Sequence, residues 1–326
     1  MERLVTDMTE TEILFDLLEK GISPAHAVSA CEKRLTDAGF EVVDYGTAWN
    51  LKAGGKYVIN HHETTLFAFT LPQNWSDREP AIRIAAAHTD FPCLRIKPSC
   101  DIQTNGYAQV NVEVYGGAIL NTWLDRPLGV AGRVAVRSED VFTPEVVTFQ
   151  SEKNLMTIPN LAIHMNREVN KGVELNKQTE LLPICGLSDD ADYFLDFLVK
   201  ELAVKKEDIL DFELTIYNKE KPEFVGLNDE FISASRLDNL NSCSALVSAI
   251  IESDRADGMN LIALFDHEEI GSRSKQGAGS ILLHDMLVRI LTECGLEKEV
   301  WNRLYNSIIL SCLLYTSPSP RDRSVS

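Results

Sequence analysis

Four consecutive polar residues follow a short apolar run in the last third of the chain. Residues 261–265 have the length and composition of a buried strand, and Asp266, His267, Glu268 and Glu269 come directly after them. A buried strand that ends in acidic side chains places them at the carboxyl edge of a sheet, where open α/β proteins bind ligands. Two adjacent glutamates repel each other there, so a metal cation would stabilise them and let each take a different role. An ordinary solvated acidic loop is the alternative interpretation.

A second predicted strand, residues 82–87, also ends in side chains that suit a metal. It is followed by His88, Thr89 and Asp90. An imidazole that ligates a metal usually donates its other ring N–H to a carboxylate, which fixes the tautomer and raises basicity. Asp90 can do this for His88 if the turn folds back. A single histidine at a strand end is more often structural, so the metal hypothesis depends on the His-x-Asp spacing of His88 and Asp90.

Two further residues have both a structural and a chemical interpretation. Asp238 stands where a loop enters a predicted helix, a position at which aspartate is usually an N-cap. Its carboxylate is also well placed to bind cations beyond the helix end. His164 ends the apolar segment IPNLAIH, residues 158–164, and is either a buried structural histidine or one presented to an active site.

Charge and cysteine usage limit the function classes. The chain has 326 residues and a formal net charge of −18, which disfavours binding to nucleic acid and to anionic membranes. No apolar run is long enough to span a membrane, and the acidic start of the chain does not resemble a signal peptide. The 7 cysteines form no CxxC pair, which predicts reduced thiols in a cytoplasmic protein. None of them has a local signature that favours a cysteine nucleophile.

The order of predicted elements indicates an α/β domain that is interrupted by a β-rich insertion. Helix-like and strand-like segments alternate in the first part of the chain and again in its second half, whereas the middle contains short β-like runs and many turns. The Ser-, Pro- and Arg-rich end is predicted to be disordered, as a native tail or as non-native sequence. The predicted segments are 1–96 and 227–312 for the two halves of the domain, 97–226 for the insertion and 313–326 for the tail.

Three motifs in this order resemble the aspartyl aminopeptidase family: HTD at 88–90, SRLDN at 235–239 and DHEEIGS at 266–272. The segments at 123–134 and 158–164 also look like the inserted domain of that family, and the resemblance covers residues 1–311. It implies a phosphorylase/hydrolase-like three-layer α/β catalytic domain with an inserted β-rich dimerisation domain. It also implies peptide substrates, with removal of acidic N-terminal residues, and a homo-oligomer that forms through the insertion.

The resemblance further implies two Zn²⁺ ions per active site and a role for each motif residue. Glu268 would be the general base, and Asp90 would orient His88 from behind. Residues implied as metal ligands are His88, Asp238 as the bridge, Glu269, and His164, which binds metal or substrate from the same or a neighbouring subunit.

The sequence departs from the family after Ser311. The family continues with further ligands, whereas Cys312 onward does not resemble it and looks similar to foreign sequence joined to a truncated frame. We therefore expect that this chain binds metal weakly and is inactive or nearly so. The alternatives to an active aminopeptidase are a truncated inactive subunit and a related dinuclear deacylase.

Overall fold

The structure, a computed structural model, describes residues 8–75, 81–172, 174–253 and 255–311. By internal contacts the chain forms two compact units, one of residues 1–90 and 236–326 and the other of residues 91–235. The second unit therefore interrupts the first in sequence. The tail predicted to be disordered, 313–326, lies outside the described residues. None of the described helices is both long and apolar enough to cross a membrane.

The first unit begins with two helices whose starts are fixed by capping side chains. α1 spans Glu10–Lys20 and is preceded by Thr9, whose hydroxyl accepts the backbone N–H of Glu12 while the Glu12 carboxylate accepts the N–H of Thr9. α2 spans Pro24–Asp37, and the side chain of Ser23 accepts a backbone N–H of its first turn. The capping signals in the sequence therefore define where both helices start.

Six strands form the central sheet of the first unit. In sheet order they are β1 (Glu41–Val42), β2 (Lys56–His61), β3 (Thr65–Thr70), β13 (Met259–Phe265), β4 (Ile82–His88) and β14 (Ile308–Ser311). β13 is parallel to β4 and antiparallel to β3. The carboxyl ends of β4 and β13 therefore lie side by side, next to the amino end of β3.

Helices lie against both faces of this sheet. α5 (Leu282–Glu293) and α6 (Val300–Tyr305) share one apolar core with the sheet, in which Phe67 and Met286 are fully buried. α2 and α4 (Leu237–Glu252) contact strands of the sheet but contribute nothing to that core, so they lie on the opposite face. This helix–sheet–helix arrangement confirms the predicted three-layer α/β class.

The second unit is β-rich, in agreement with the texture of the sequence. Its elements are β5 (Cys93–Thr104), β6 (Tyr107–Tyr115), β7 (Leu128–Val136), β8 (Glu145–Gln150), β9 (Ile184–Leu187), α3 (Tyr193–Leu202), β10 (Ile209–Asn218), β11 (Glu223–Val225) and β12 (Phe231–Ser233). The antiparallel sheet has the order β8-β7-β10-β5-β6-β9, and α3 packs on it. The last two strands, β11 and β12, form a separate two-stranded ribbon. The boundaries 96/97 and 226/227, and an oligomerisation role for this part, stay predictions.

Candidate metal centre

The candidate site lies at the carboxyl edge of the first unit's sheet, where β4 and β13 end together. His88, the last residue of β4, is paired in register with Phe265, the last residue of β13. The N–H of Thr89 donates to the carbonyl of Phe265 at 2.8 Å, and its hydroxyl donates to the carbonyl of Thr64 at 2.8 Å. Thr64 directly precedes β3, so three strand ends are joined. This junction brings the His88 and Glu268 motifs into one place.

The imidazole of His88 is held at one nitrogen and faces carboxylates with the other. Only 8% of the residue is exposed. Its Nδ1 lies 3.3 Å from Oδ1 of Asp90 and 2.9 Å from the backbone oxygen of Asp90. Its Nε2 lies 3.4 Å from Oδ1 of Asp238 and 3.8 Å from Oε2 of Glu268. The turn after β4 therefore folds back as the His-x-Asp spacing requires.

The pKa of His88 is set by opposing effects. Burial lowers it, but the hydrogen bond and negative charge of Asp90, together with the charge of Glu268, outweigh burial, and the pKa of His88 is raised. The surroundings of this ring therefore favour a positive charge at Nε2. A proton and a metal ion compete for that nitrogen, since a ligating imidazole must be deprotonated.

Asp90 is fully buried and anchors both strand-end turns. Besides facing Nδ1 of His88, its Oδ1 accepts the N–H of Glu268 and its Oδ2 accepts the N–H of Glu269, both at 3.1 Å. The turn Glu268–Ile270 is a single 3₁₀ turn. The Asp90 carboxylate thus compensates backbone donors that such a turn leaves without an internal partner.

Asp238 does not cap α4. The first turn of α4 is irregular: Arg236 has a left-handed backbone, and Asp238 has φ −83° and ψ 108° inside the helix limits. The side chain of Asp238 is 57% exposed and directs Oδ1 toward His88. The guanidinium of Arg236 donates to the carbonyl of Leu18 at 2.7 Å, which ties this start of α4 to α1. The chemical interpretation of Asp238 therefore agrees with its position better than the N-cap interpretation does.

The two glutamates of the motif differ in exposure. The side chain of Glu268 is 44% exposed and lies within reach of His88. Glu269 is partly buried, and its backbone N–H is bound to Asp90. Adjacent carboxylates with different surroundings are suited to different roles.

His164 lies in the second unit, and its side chain is exposed. The interpretation of His164 as a buried structural histidine is therefore wrong. Its segment is held at its start by Asp125, whose carboxylate accepts the N–H of Asn160 at 2.9 Å. The apolar neighbours Leu161 and Ile163 are each 53% exposed. A role for His164 at the metal centre stays a prediction.

The donor set at the end of β4 fits zinc. It combines the imidazole nitrogen of His88, whose ring is oriented by a buried carboxylate, with the partly exposed carboxylate of Asp238, and ligands of these types with such an orienting partner are typical of catalytic zinc sites. Within the described ranges, no group of three or more His, Cys, Asp or Glu residues is arranged so that it could hold a metal ion. The contacts are between pairs of residues, His88 with Asp238 and His88 with Glu268.

Sequence reasoning missed Gln276, which connects the loop after the two glutamates to the start of β3. The hydroxyl of Thr65 donates to the carbonyl of Gln276 at 2.9 Å, the Gln276 amide donates to the Thr64 hydroxyl, and the N–H of Asp266 donates to the Gln276 carbonyl at 3.4 Å. Gln276 is 6% exposed. It therefore connects the loop after the glutamates to the start of β3. No spacing pattern in the sequence indicates this contact.

Comparison with known proteins agrees with the fold and the motifs. The sequence profile of the aminopeptidase I zinc metalloprotease family (M18) matches residues 17–320, so the match continues beyond Ser311. The chain is 40% identical over 304 residues to a probable M18 family aminopeptidase 2 of Clostridium novyi, and the alignment covers 91% of this chain and 70% of the relative.

Solved structures show the same architecture. One chain in the cryo-EM structure of the Ape4 and Nbr1 complex is 30% identical with a TM-score of 0.87, covering 99% of this chain and 67% of that one. A chain of the S. cerevisiae mApe1 dodecamer has a TM-score of 0.75 at 23% identity, covering 97% and 73% respectively, and at this identity the likeness concerns the fold alone.

The three-layer fold and the motifs at its strand ends define a hydrolase of the zinc aminopeptidase class. The chain belongs to the aminopeptidase I zinc metalloprotease (M18) family. This confirms the family predicted from the motifs, and with it an enzyme class whose metal is zinc.

Proposed function

We propose that this chain is a metallo-aminopeptidase that releases N-terminal residues, preferably Asp and Glu, from peptides. The observation that carries the proposal is the imidazole of His88, held at Nδ1 by buried Asp90 while Nε2 faces Asp238 and Glu268. The preference for acidic residues rests on the resemblance of the motifs to aspartyl aminopeptidases. Membership of the M18 family supports the reaction class.

Zinc would be held by His88, Asp238 and Glu269, with His164 as a further ligand or substrate contact. When bound, zinc lowers the pKa of a coordinated water and polarises a carbonyl group. The exposed side of Asp238 and Glu268 leaves room for a substrate. The free amino group of the peptide would be held beside these carboxylates, so that one residue is released at a time.

Glu268 would be the general base. Its carboxylate takes a proton from the attacking water and passes it to the amine of the departing peptide. Its side chain is partly exposed, as contact with substrate requires, while its backbone is fixed by Asp90. Asp90 acts through His88 and Glu268 and is buried away from substrate.

We also propose that the chain forms a homo-oligomer through its second unit. A relative of the same fold is a dodecamer. The segment around His164 exposes apolar side chains, among them Met165 at 69%, as an interface surface does. His164 would then reach the site of a neighbouring subunit. A cytoplasmic location stays a prediction from the scattered cysteines.

The direct test is hydrolysis of matched peptides by zinc-loaded protein. Peptides with N-terminal Asp, Glu, Ala or Lys would be compared with N-acetylated versions of each. We expect release of the first residue from free peptides only, fastest for Asp and Glu. Cleavage of the acetylated peptides would identify a deacylase instead, and no cleavage of any peptide by zinc-loaded protein would identify an inactive subunit.

A further inference from the structure

The backbone of His88 is held by two side chains of α4. The N–H of His88 donates to Oδ1 of Asn239 at 3.4 Å, and the carbonyl of His88 accepts from Sγ of Cys243 at 3.1 Å. Asn239 and Cys243 are four residues apart on the helix that packs against β4. Both are almost inaccessible to solvent, at 1% and 0% exposed.

These contacts satisfy the backbone N–H and carbonyl of His88. In the described residues, the pairing of β14 with β4 reaches Ala86. The backbone groups of His88 would be costly to bury without partners, because an unpaired buried N–H or carbonyl loses its hydration without compensation. Asn239 and Cys243 supply those partners from a helix rather than from a strand.

Asn239 also contacts the second candidate ligand. Its Nδ2 donates to Oδ1 of Asp238 at 3.2 Å, and that same oxygen lies 3.4 Å from Nε2 of His88. One amide group therefore binds the backbone of His88 with its oxygen and the carboxylate of Asp238 with its nitrogen. The distance between the two ligand groups depends on this amide.

We propose that Asn239 and Cys243 are positioning residues that fix His88 and Asp238 relative to each other for metal binding. This inference rests on the proposed metal centre. Neither side chain is a ligand. Their effect passes through the backbone of His88 and the carboxylate of Asp238, which is how residues behind metal ligands commonly raise metal affinity.

The test compares Zn²⁺ affinity among variants of the full chain, measured by competition with a chromophoric chelator. Asn239→Leu keeps the branching of the side chain but removes both hydrogen bonds, and we expect zinc affinity to fall by about 10- to 100-fold. Cys243→Ala should lower it by about tenfold, and Cys243→Ser, which retains a donor, should restore most of the loss. Cys31→Ala is the matched control, because Cys31 is likewise a buried free thiol, with 3% of the residue exposed.

A second readout does not involve the metal. Deuterium exchange of the His88 amide should be faster in Asn239→Leu than in the parent chain, and unchanged in Cys31→Ala. If the parent chain binds no zinc, the proposed metal centre itself is wrong. If the parent binds zinc and Asn239→Leu and Cys243→Ala bind it equally tightly, the positioning role is wrong. Equal losses in Cys243→Ala and Cys243→Ser would also overturn it, since only one of them removes the donor.

Discussion

The carboxylate of Asp90 accepts the backbone N–H of Glu268 at 3.1 Å while the same oxygen lies 3.3 Å from Nδ1 of His88. One buried side chain therefore sets the position of a candidate ligand and of the candidate base. The two motifs are 178 residues apart in sequence. Because β4 and β13 are neighbours and parallel, their carboxyl ends bring the two motifs together at one edge of the sheet.

Asp90→Asn should therefore damage the site and the fold together. The asparagine amide has the shape of the carboxylate, but an N–H₂ donor replaces one of its two acceptor oxygens. That donor would face groups that now donate to Asp90, which are two backbone N–H groups and the imidazole of His88. We expect zinc affinity to fall by about 10- to 100-fold and the free energy of unfolding to fall by about 1–3 kcal/mol. Chelator competition and urea unfolding measure the two effects.

Asp101 offers a matched control for that substitution. Its carboxylate accepts the N–H groups of Phe194 and Leu195 at the start of α3, at 2.7 and 3.3 Å. Asp101→Asn should also reduce stability but should leave zinc affinity at the parent value. Equal zinc affinity in Asp90→Asn and Asp101→Asn would contradict the account.

Glu268→Gln and Glu269→Gln should separate catalysis from metal binding. Loss of a general base typically lowers the rate by about 10²- to 10⁴-fold, so Glu268→Gln should reduce kcat while zinc stoichiometry stays at the parent value. Glu269→Gln should instead weaken zinc binding. Metal analysis after dialysis, alongside kcat and KM on a peptide with N-terminal Asp, distinguishes the two; identical behaviour of both variants would refute separate roles.

His26 should make the protein less stable in mild acid. Burial lowers the pKa of His26 to about 4, below the value of about 6.5 expected in the unfolded chain. As the pH falls from 6.5 to 4, His26 is protonated in the unfolded chain but stays neutral in the folded protein. The free energy of unfolding therefore decreases as the pH falls through this window, by up to about 3 kcal/mol.

The pH dependence can be isolated by substitution. His26→Gln should flatten the loss of unfolding free energy between pH 6.5 and 4, measured by urea unfolding at each pH. His284→Gln, which removes an exposed imidazole on α5, should retain the slope of the parent. An unchanged slope in His26→Gln would show that other groups cause the acid sensitivity.

Much of the site could be predicted because its residues stand at strand ends. The apolar runs before His88 and Asp266 define where the strands stop, and polar residues after a buried strand are displayed at the edge of the sheet. The spacing of His88 and Asp90 permits the turn that brings Asp90 back onto His88, and the structure shows that the chain adopts it. The sequence alone leaves the role of Asp238 open, since an aspartate at the start of a helix is usually a cap and only the irregular backbone of α4 shows otherwise.

Other features depend on contacts that are remote in sequence. Asn239 and Cys243 look like ordinary residues of an amphipathic helix, and their contact with His88 follows only from the docking of α4 on β4. Gln276 stands at the start of a glycine-rich turn, where no periodic pattern predicts which side chains are buried. The sequence leaves the burial of His164 open, because its apolar neighbours favour burial, whereas the structure leaves them at the surface.

The most direct test of the central claim is zinc binding by the parent chain, by His88→Ala and by His284→Ala. Each protein would be loaded with zinc, dialysed and analysed for bound metal, with circular dichroism to confirm folding. The account predicts that the parent and His284→Ala hold the same amount of zinc and that His88→Ala holds less. Equal zinc content in His88→Ala and the parent would contradict a metal centre at the end of β4.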